Sequence, residues 1–145
     1  MTLPGNSRFV GSAQDGPHRD LENLLRRHAG HPFQKPFADY NRRAAEAALA
    51  AWQGWNPAAP LILDAGCGVG WSTVHLAEAF PDHFVLGVDQ SLDRLTRGKP
   101  VPTPANAVFV RADLVDFWRL LAQAGVRLAR HYLLYPNPWP KIGQV

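Results

Sequence analysis

The sequence holds one cysteine, Cys67, and one methionine in 145 residues. A single thiol excludes an internal disulfide and any cysteine-based zinc site, and it suits a reducing compartment. Six histidines are scattered without ligand spacing, so no metal is expected. The chain has no apolar stretch near its start resembling a signal sequence, and no apolar run of about 18 residues. Neither secretion nor membrane insertion is therefore expected, and the expected location is cytoplasmic. Charge is scarce as well, at 19% of residues, with a net charge of +3. So small an excess fits either a solvated surface or a polyanionic partner such as nucleic acid. Hydrophobic residues make up 46%, which excludes wholesale disorder. No low-complexity segment is present.

Residues 1–20 carry three glycines, two prolines and no periodicity, so they read as an arm. Leu21, Leu24 and Leu25 then form a helical stripe that Gly30 should stop. The alanine-rich run from Asp39 to about Trp55 predicts a second helix, with Asp39 as its N-cap and Pro57 and Pro60 closing it. These bounds suggest an arm with a short helix over residues 1–37 and the main domain over 38–145.

From residue 61 the pattern becomes strand, turn, helix, and it repeats. LILDAGCGVG, FVLGVD, AVFVRAD and HYLLYP are apolar runs, separated by helical stretches starting at Trp71, Ser91 and Asp113. The helix from Ser91 should end at Gly98, and the one from Asp113 should bury Leu114, Phe117, Trp118 and Leu121 on one face. Apolar strands alternating with helices predict an α/β fold with a doubly wound, mostly parallel sheet, preceded by N-terminal helices.

Ligands of open parallel sheets sit at the carboxyl ends of the strands, and four candidate groups fall there. The first is the turn Asp64-Ala-Gly66-Cys-Gly68-Val-Gly70, whose glycines permit close backbone approach before a helix N-terminus. A G-x-G-x-x-G dinucleotide fingerprint counted from Gly66 would place its third glycine at Trp71, so nicotinamide chemistry is disfavoured. The second is Asp89, which suits a ribose acceptor or, more plainly, a cap for SLDRL, a position that Ser91 suits as well. Asp113 is the third, an acceptor for an adenine amino group or an N-cap. The fourth is the loop YPNPWP, where three prolines in five residues rule out a sheet ladder and leave a rigid loop carrying Asn137 and Trp139. Trp139 suits either stacking on an extruded base or packing against the sheet end. Arg8, Arg19, Arg26, Arg27, Arg42 and Arg43 precede the sheet and are candidates for phosphate contacts, although Arg26 and Arg27 equally suit the solvated face of a helix.

DAGCGVG, then VD, then AD resemble the first three motifs of the class I S-adenosylmethionine-dependent methyltransferases, over about residues 58–135. YPNPWPK resembles the F-P-D-P-W-x-K signature of the bacterial tRNA (guanine-N7)-methyltransferases, and RFVGSAQDG is similar to the arm of that family. The resemblance implies S-adenosylmethionine as methyl donor and tRNA as substrate. It assigns the methionine moiety to Asp64 and Gly66, the rest of the cofactor turn to Gly68 and Gly70, ribose to Asp89 and adenine to Asp113. It places Asn137 at the catalytic position beside the cofactor, and Lys141 against the substrate, where Trp139 would stand if it stacks on a base.

Two departures from the family follow. Asn137 stands where the family carries Asp. An amide can position a base but does not offset positive charge on it, and Asn-Pro before an aromatic is also similar to the loop of amino-directed base methyltransferases. Amino methylation is therefore kept as an alternative. The chain also holds only the first four strands of a longer sheet, so it reads as incomplete, with an apolar edge strand that favours self-association. A non-catalytic S-adenosylmethionine-binding fragment is the rival reading.

Overall fold

The computed structural model describes residues 16–98 and 102–134. The chain divides into two units, one containing the first helix and the other spanning Lys35–Pro136. Helix α1, Leu21–Ala29, buries none of its residues, and Leu25 is 60% exposed. Its leucine stripe is only partly covered, with Leu21 and Leu24 half-buried. Local terms support the helix: Arg26 pairs with Glu22 one turn earlier at 2.5 Å, and Arg26 and Arg27 place positive charge in the last turn. Gly30 follows as expected, but at φ −79° it is right-handed, so its conformational freedom is not what ends the helix. The Gly30 N–H and the His31 ring satisfy the carbonyls of Arg26 and Arg27 instead.

The second unit contains α2 (Asp39–Trp55), β1 (Leu61–Ala65), α3 (Trp71–Ala79), β2 (Phe84–Asp89), α4 (Leu92–Thr96), β3 (Ala107–Arg111), α5 (Leu114–Gln123) and β4 (Leu128–Tyr132). The strands are all parallel in the order β3-β2-β1-β4. Every residue of β1 and β2 is buried, as a strand covered on both faces requires. Alternate side chains serve the two faces. Leu61, Leu63, Phe84, Leu86 and Val88 pack with Ala45 and Ala48 of α2 and Phe117 and Leu121 of α5. Ile62 and Val85 pack on the opposite face with Ala77 of α3, and Leu76 and Phe80 border them. The architecture is thus the Rossmann-like α/β arrangement expected, with N-terminal helices.

Three local expectations are corrected. The N-cap of α2 is Ala38, not Asp39, and it makes no side-chain cap bond. Its own N–H reaches Asp116 of α5 at 3.4 Å, so a distant carboxylate fixes the chain where a local one was expected. Helix α4 ends at Thr96 with Arg97 as C-cap, before Gly98 is reached. The largest difference is β4, which runs through Leu128–Tyr132 and ends before Leu133. Its register against β1 places Leu128 beside Leu61 and Tyr132 beside Asp64, with an irregularity between Leu61 and Ile62. Leu133 and Leu134 follow the strand and are 46% and 43% exposed. The edge therefore presents Ala129, Arg130 and His131, all exposed, in place of the apolar run on which self-association was expected. Charge at a sheet edge opposes edge-to-edge pairing. A cavity of about 330 Å³ lies on the α5 side of this strand, lined by Trp118, Leu121, Ala122, Val126, Leu128 and His131.

Asn106 and Gly87 help to seat α3 on the sheet. Asn106, 8% exposed, donates its side-chain amide to the carbonyls of Ala77, Phe80 and His83, closing the end of α3 onto the start of β2. Gly87, inside β2, leaves room for Thr73 of α3. A Cβ there would stand 2.5 Å from the Thr73 hydroxyl and 2.8 Å from the Phe109 ring of β3. Gly87→Ala should therefore destabilise the chain by about 1–3 kcal/mol through overpacking, read as a lower urea midpoint at unchanged slope. An unchanged midpoint would mean that α3 yields without cost.

Candidate functional site

The turn between β1 and α3 is built on left-handed backbone. Gly66, Gly68 and Gly70 have φ of 74°, 60° and 90°, a region that side chains with a Cβ rarely adopt. Within the chain itself, the requirement at Gly66 and Gly68 is conformational. A Cβ at Gly68 would meet nothing within 4 Å, and one at Gly66 would meet only Leu114 at 3.9 Å. Gly70 serves as the N-cap of α3. The turn is tied to the end of β2, since the N–H groups of Gly66 and Cys67 both donate to the Val88 carbonyl, at 2.7 and 3.0 Å.

Asp64 is 1% exposed. Its Oδ2 accepts from the hydroxyls of Ser72 and Thr73 at 2.5 and 2.7 Å, so the carboxylate is engaged with the first turn of α3, whose dipole favours it. Neither hydroxyl was singled out in the sequence.

Asp89 closes β2 and is 5% exposed. Its Oδ2 accepts from the Gly68 N–H at 2.9 Å and its Oδ1 from the Ser91 N–H at 2.8 Å. Arg94 stands 4.0 Å from Oδ2. The cap of α4 is Ser91, whose hydroxyl accepts from the Arg94 N–H, so the plainer reading of Asp89 as that cap is replaced by a latch between two loops. A carboxylate offers about four acceptor positions, and these two bonds leave capacity for the paired hydroxyls of a ribose.

Asp113 is the N-cap of α5, with Oδ1 accepting from the Asp116 N–H at 3.1 Å, as the plainer reading expected. Its backbone N–H donates to Oδ1 of Asn41 at 2.9 Å. Asn41, 1% exposed on α2, donates its Nδ2 to Oδ2 of the fully buried Asp116 at 2.7 Å. Arg119 completes the group, with Nη1 at 3.2 Å from Asp116 Oδ1 and its guanidinium 4.0 Å over the Phe37 ring. Asn41 and Asp116 were missed in the sequence. The signal for Asn41 was a lone amide in the buried stripe it shares with Ala45 and Ala48. That for Asp116 was an acid three residues after an N-cap, the spacing of a capping box.

Asp64, Gly66, Gly68, Gly70, Asp89 and Asp113 thus gather at the carboxyl ends of β1, β2 and β3. The loop residues Asn137, Trp139 and Lys141 lie outside the described residues, as does Arg8. Arg26 and Arg19 are paired with acids on their own segment, and Arg42 lies 4.8 Å over the Phe37 ring. Among the described residues no group of three or more His, Cys, Asp or Glu is placed to hold a metal.

The family model described as "Putative methyltransferase" matches residues 58–143, more than half of the chain. The chain belongs to this methyltransferase family. Curated relatives include the tRNA (guanine-N(7)-)-methyltransferase of Roseobacter denitrificans, 28% identical over 90% of this chain and 61% of its own length. The enzyme of the same name from Mycolicibacterium gilvum is 33% identical over 63% of this chain and 36% of its own. That from Porphyromonas gingivalis is 29% identical over 77% and 47%. The chain thus spans less than two thirds of each of these relatives. Among solved structures, the sugar N-methyltransferase KedS8 from Streptoalloteichus is 26% identical over 81% of this chain and 41% of its own, with a TM-score of 0.27, an overlap too slight to bear on the fold.

Removing the Asp89 carboxylate should unlatch the turn before any ligand is considered, because two loop N–H groups lose their acceptor. Asp89→Ala is expected to cost about 1–3 kcal/mol in stability and to speed amide exchange at Gly68 and Ser91 above that at Val85. Unchanged exchange at Gly68 would show that the Val88 carbonyl holds the turn without help.

Proposed function

We propose that this chain is an S-adenosylmethionine-dependent methyltransferase that acts on N7 of a guanine in tRNA, in the cytoplasm. The observation that carries the reading is the convergence of the glycine turn, Asp89 and Asp113 at three successive strand ends in a member of a methyltransferase family. The substrate rests on the relatives' names and on the YPNPWPK resemblance. Among the described residues, no helix is long and apolar enough to cross a membrane.

The residues present fit the cofactor. The left-handed turn gives a shaped surface over the end of β1, Asp89 retains acceptor capacity for ribose hydroxyls, and half-buried Asp113 stands as an acceptor for adenine. Gly66 and Asp64 are assigned to the methionine end. When bound, S-adenosylmethionine supplies a methyl group on a positively charged sulfur. Guanine N7 carries a lone pair and no proton, so it would accept that methyl group without a general base, the sulfur becoming a neutral thioether. The protein's work is to orient the two partners and to accommodate the positive charge left on the ring. Asn137 orients through its amide, with Trp139 and Lys141 holding base and phosphate. A carboxylate at residue 137 would also favour that charge.

The test is to incubate the chain with S-adenosylmethionine and tRNA lacking 7-methylguanosine, then digest the RNA and identify the methylated nucleoside by mass spectrometry. We expect 7-methylguanosine, formed slowly, and about 10- to 100-fold faster in Asn137→Asp. A methyl group on the exocyclic amine of adenine or cytosine would transfer the assignment to amino-directed chemistry. Cofactor binding without any product would leave the binding-only reading.

A further inference from the structure

We propose that Asn41, a residue of α2 outside every strand-end motif, is a positioning residue for adenine recognition, and that Asp116 sets the direction in which its amide faces. The inference rests on Asp113 being the adenine acceptor. It begins from an exchange of partners at the start of α5. The sequence Asp113-Leu-Val-Asp116 has capping-box spacing, in which the acid three residues after the cap reaches back to the cap's own N–H. That does not happen here. The Asp113 N–H donates to Asn41 Oδ1 at 2.9 Å, and the Asp116 carboxylate turns toward α2, taking Asn41 Nδ2 at 2.7 Å and the Ala38 N–H at 3.4 Å. Arg119 balances its charge from 3.2 Å.

The chemistry of the two neighbours leaves Asn41 one orientation. A carboxylate only accepts and a backbone N–H only donates, so the amide must turn its nitrogen to Asp116 and its oxygen to Asp113. The opposite orientation would bury two mismatched pairs at a site where Asn41 is 1% exposed and Asp116 fully buried. Asp113 is consequently held at two points, its N–H by Asn41 and its Oδ1 by the Asp116 N–H. With backbone and one carboxylate oxygen fixed, the planar geometry of the group fixes the direction of Oδ2 as well. An acceptor aimed in advance discriminates between an amino group and a carbonyl better than one that can swing aside. The helix that precedes the sheet thereby takes part in choosing the nucleobase.

Calorimetric titration with S-adenosylhomocysteine and with S-inosylhomocysteine, which carries oxygen in place of the 6-amino group, separates positioning from a general structural role. The wild-type chain is expected to prefer the adenosine ligand by about tenfold or more, and Asp113→Ala to lose that preference. Asn41→Ala should reduce it to about threefold or less. Asp116→Asn, which keeps shape and volume but no longer dictates the orientation of Asn41, should reduce it in the same direction. If Asn41→Ala does not melt cooperatively, Asp116→Asn decides alone. Variants that weaken both ligands by the same factor, keeping the wild-type preference, would overturn the proposal while Asp113 keeps its role. Retention of the preference in Asp113→Ala would instead remove the adenine reading, and the proposal with it.

Discussion

The site depends on one buried carboxylate at the end of β2. Asp89 accepts one N–H from the glycine turn after β1 and one from the loop into α4, so it joins the two loops that would enclose a ligand. Both N–H groups belong to half-buried residues and would otherwise have to turn to water or a substitute acceptor. The same arrangement makes the site ready before binding. The left-handed turn, expensive for any residue but glycine, is held by Val88 and Asp89 and needs no ligand to form it. Asp64 does the corresponding work on the far side of the turn, where the hydroxyls of Ser72 and Thr73 fasten α3 to β1.

The acids at the strand ends therefore have two kinds of role. Asp64 commits its Oδ2 to Ser72 and Thr73, Asp113 caps α5 while standing half-buried, and Asp89 latches two loops while keeping acceptor capacity. A helix cap and a ligand acceptor are not exclusive, because a carboxylate has two oxygens and a cap occupies one. The cap observed at Asp113 therefore does not exclude the acceptor reading. A capped acid is better placed to recognise an adenine than a free one, since its torsions are already fixed.

What the sequence disclosed follows burial. FVLGVD is legible as a strand with its observed bounds because both of its faces are covered, so the five positions before Asp89 are all apolar or small. The edge strand β4 was misplaced because Leu128, Ala129, Arg130, His131 and Tyr132 answer to solvent on one side, and the more apolar Leu133 and Leu134 lie just beyond it. Asp39 lost the cap of α2 to Ala38 because an acid 78 residues away, Asp116, holds the Ala38 N–H, a pairing no local pattern contains. Gly87 passed unnoticed for a related reason. Its necessity arises from Thr73 on a helix and Phe109 on the neighbouring strand, which meet only in the folded sheet. The motif residues were legible because the turn that carries them is local in sequence, whereas the group that steadies Asp113 is assembled from α2 and α5.

The central claim is that the carboxyl ends of β1, β2 and β3 form an adenosine-containing cofactor site already shaped in the free chain. Amide chemical shifts followed while S-adenosylhomocysteine is titrated into the 15N-labelled protein test it most directly. The account predicts saturable shifts concentrated at Gly66, Gly68, Asp89, Ser91 and Asp113, with the sheet core at Leu63 and Val85 nearly unmoved. Shifts centred instead on Trp118, Val126 and His131, or no saturable change at the strand ends, would contradict it.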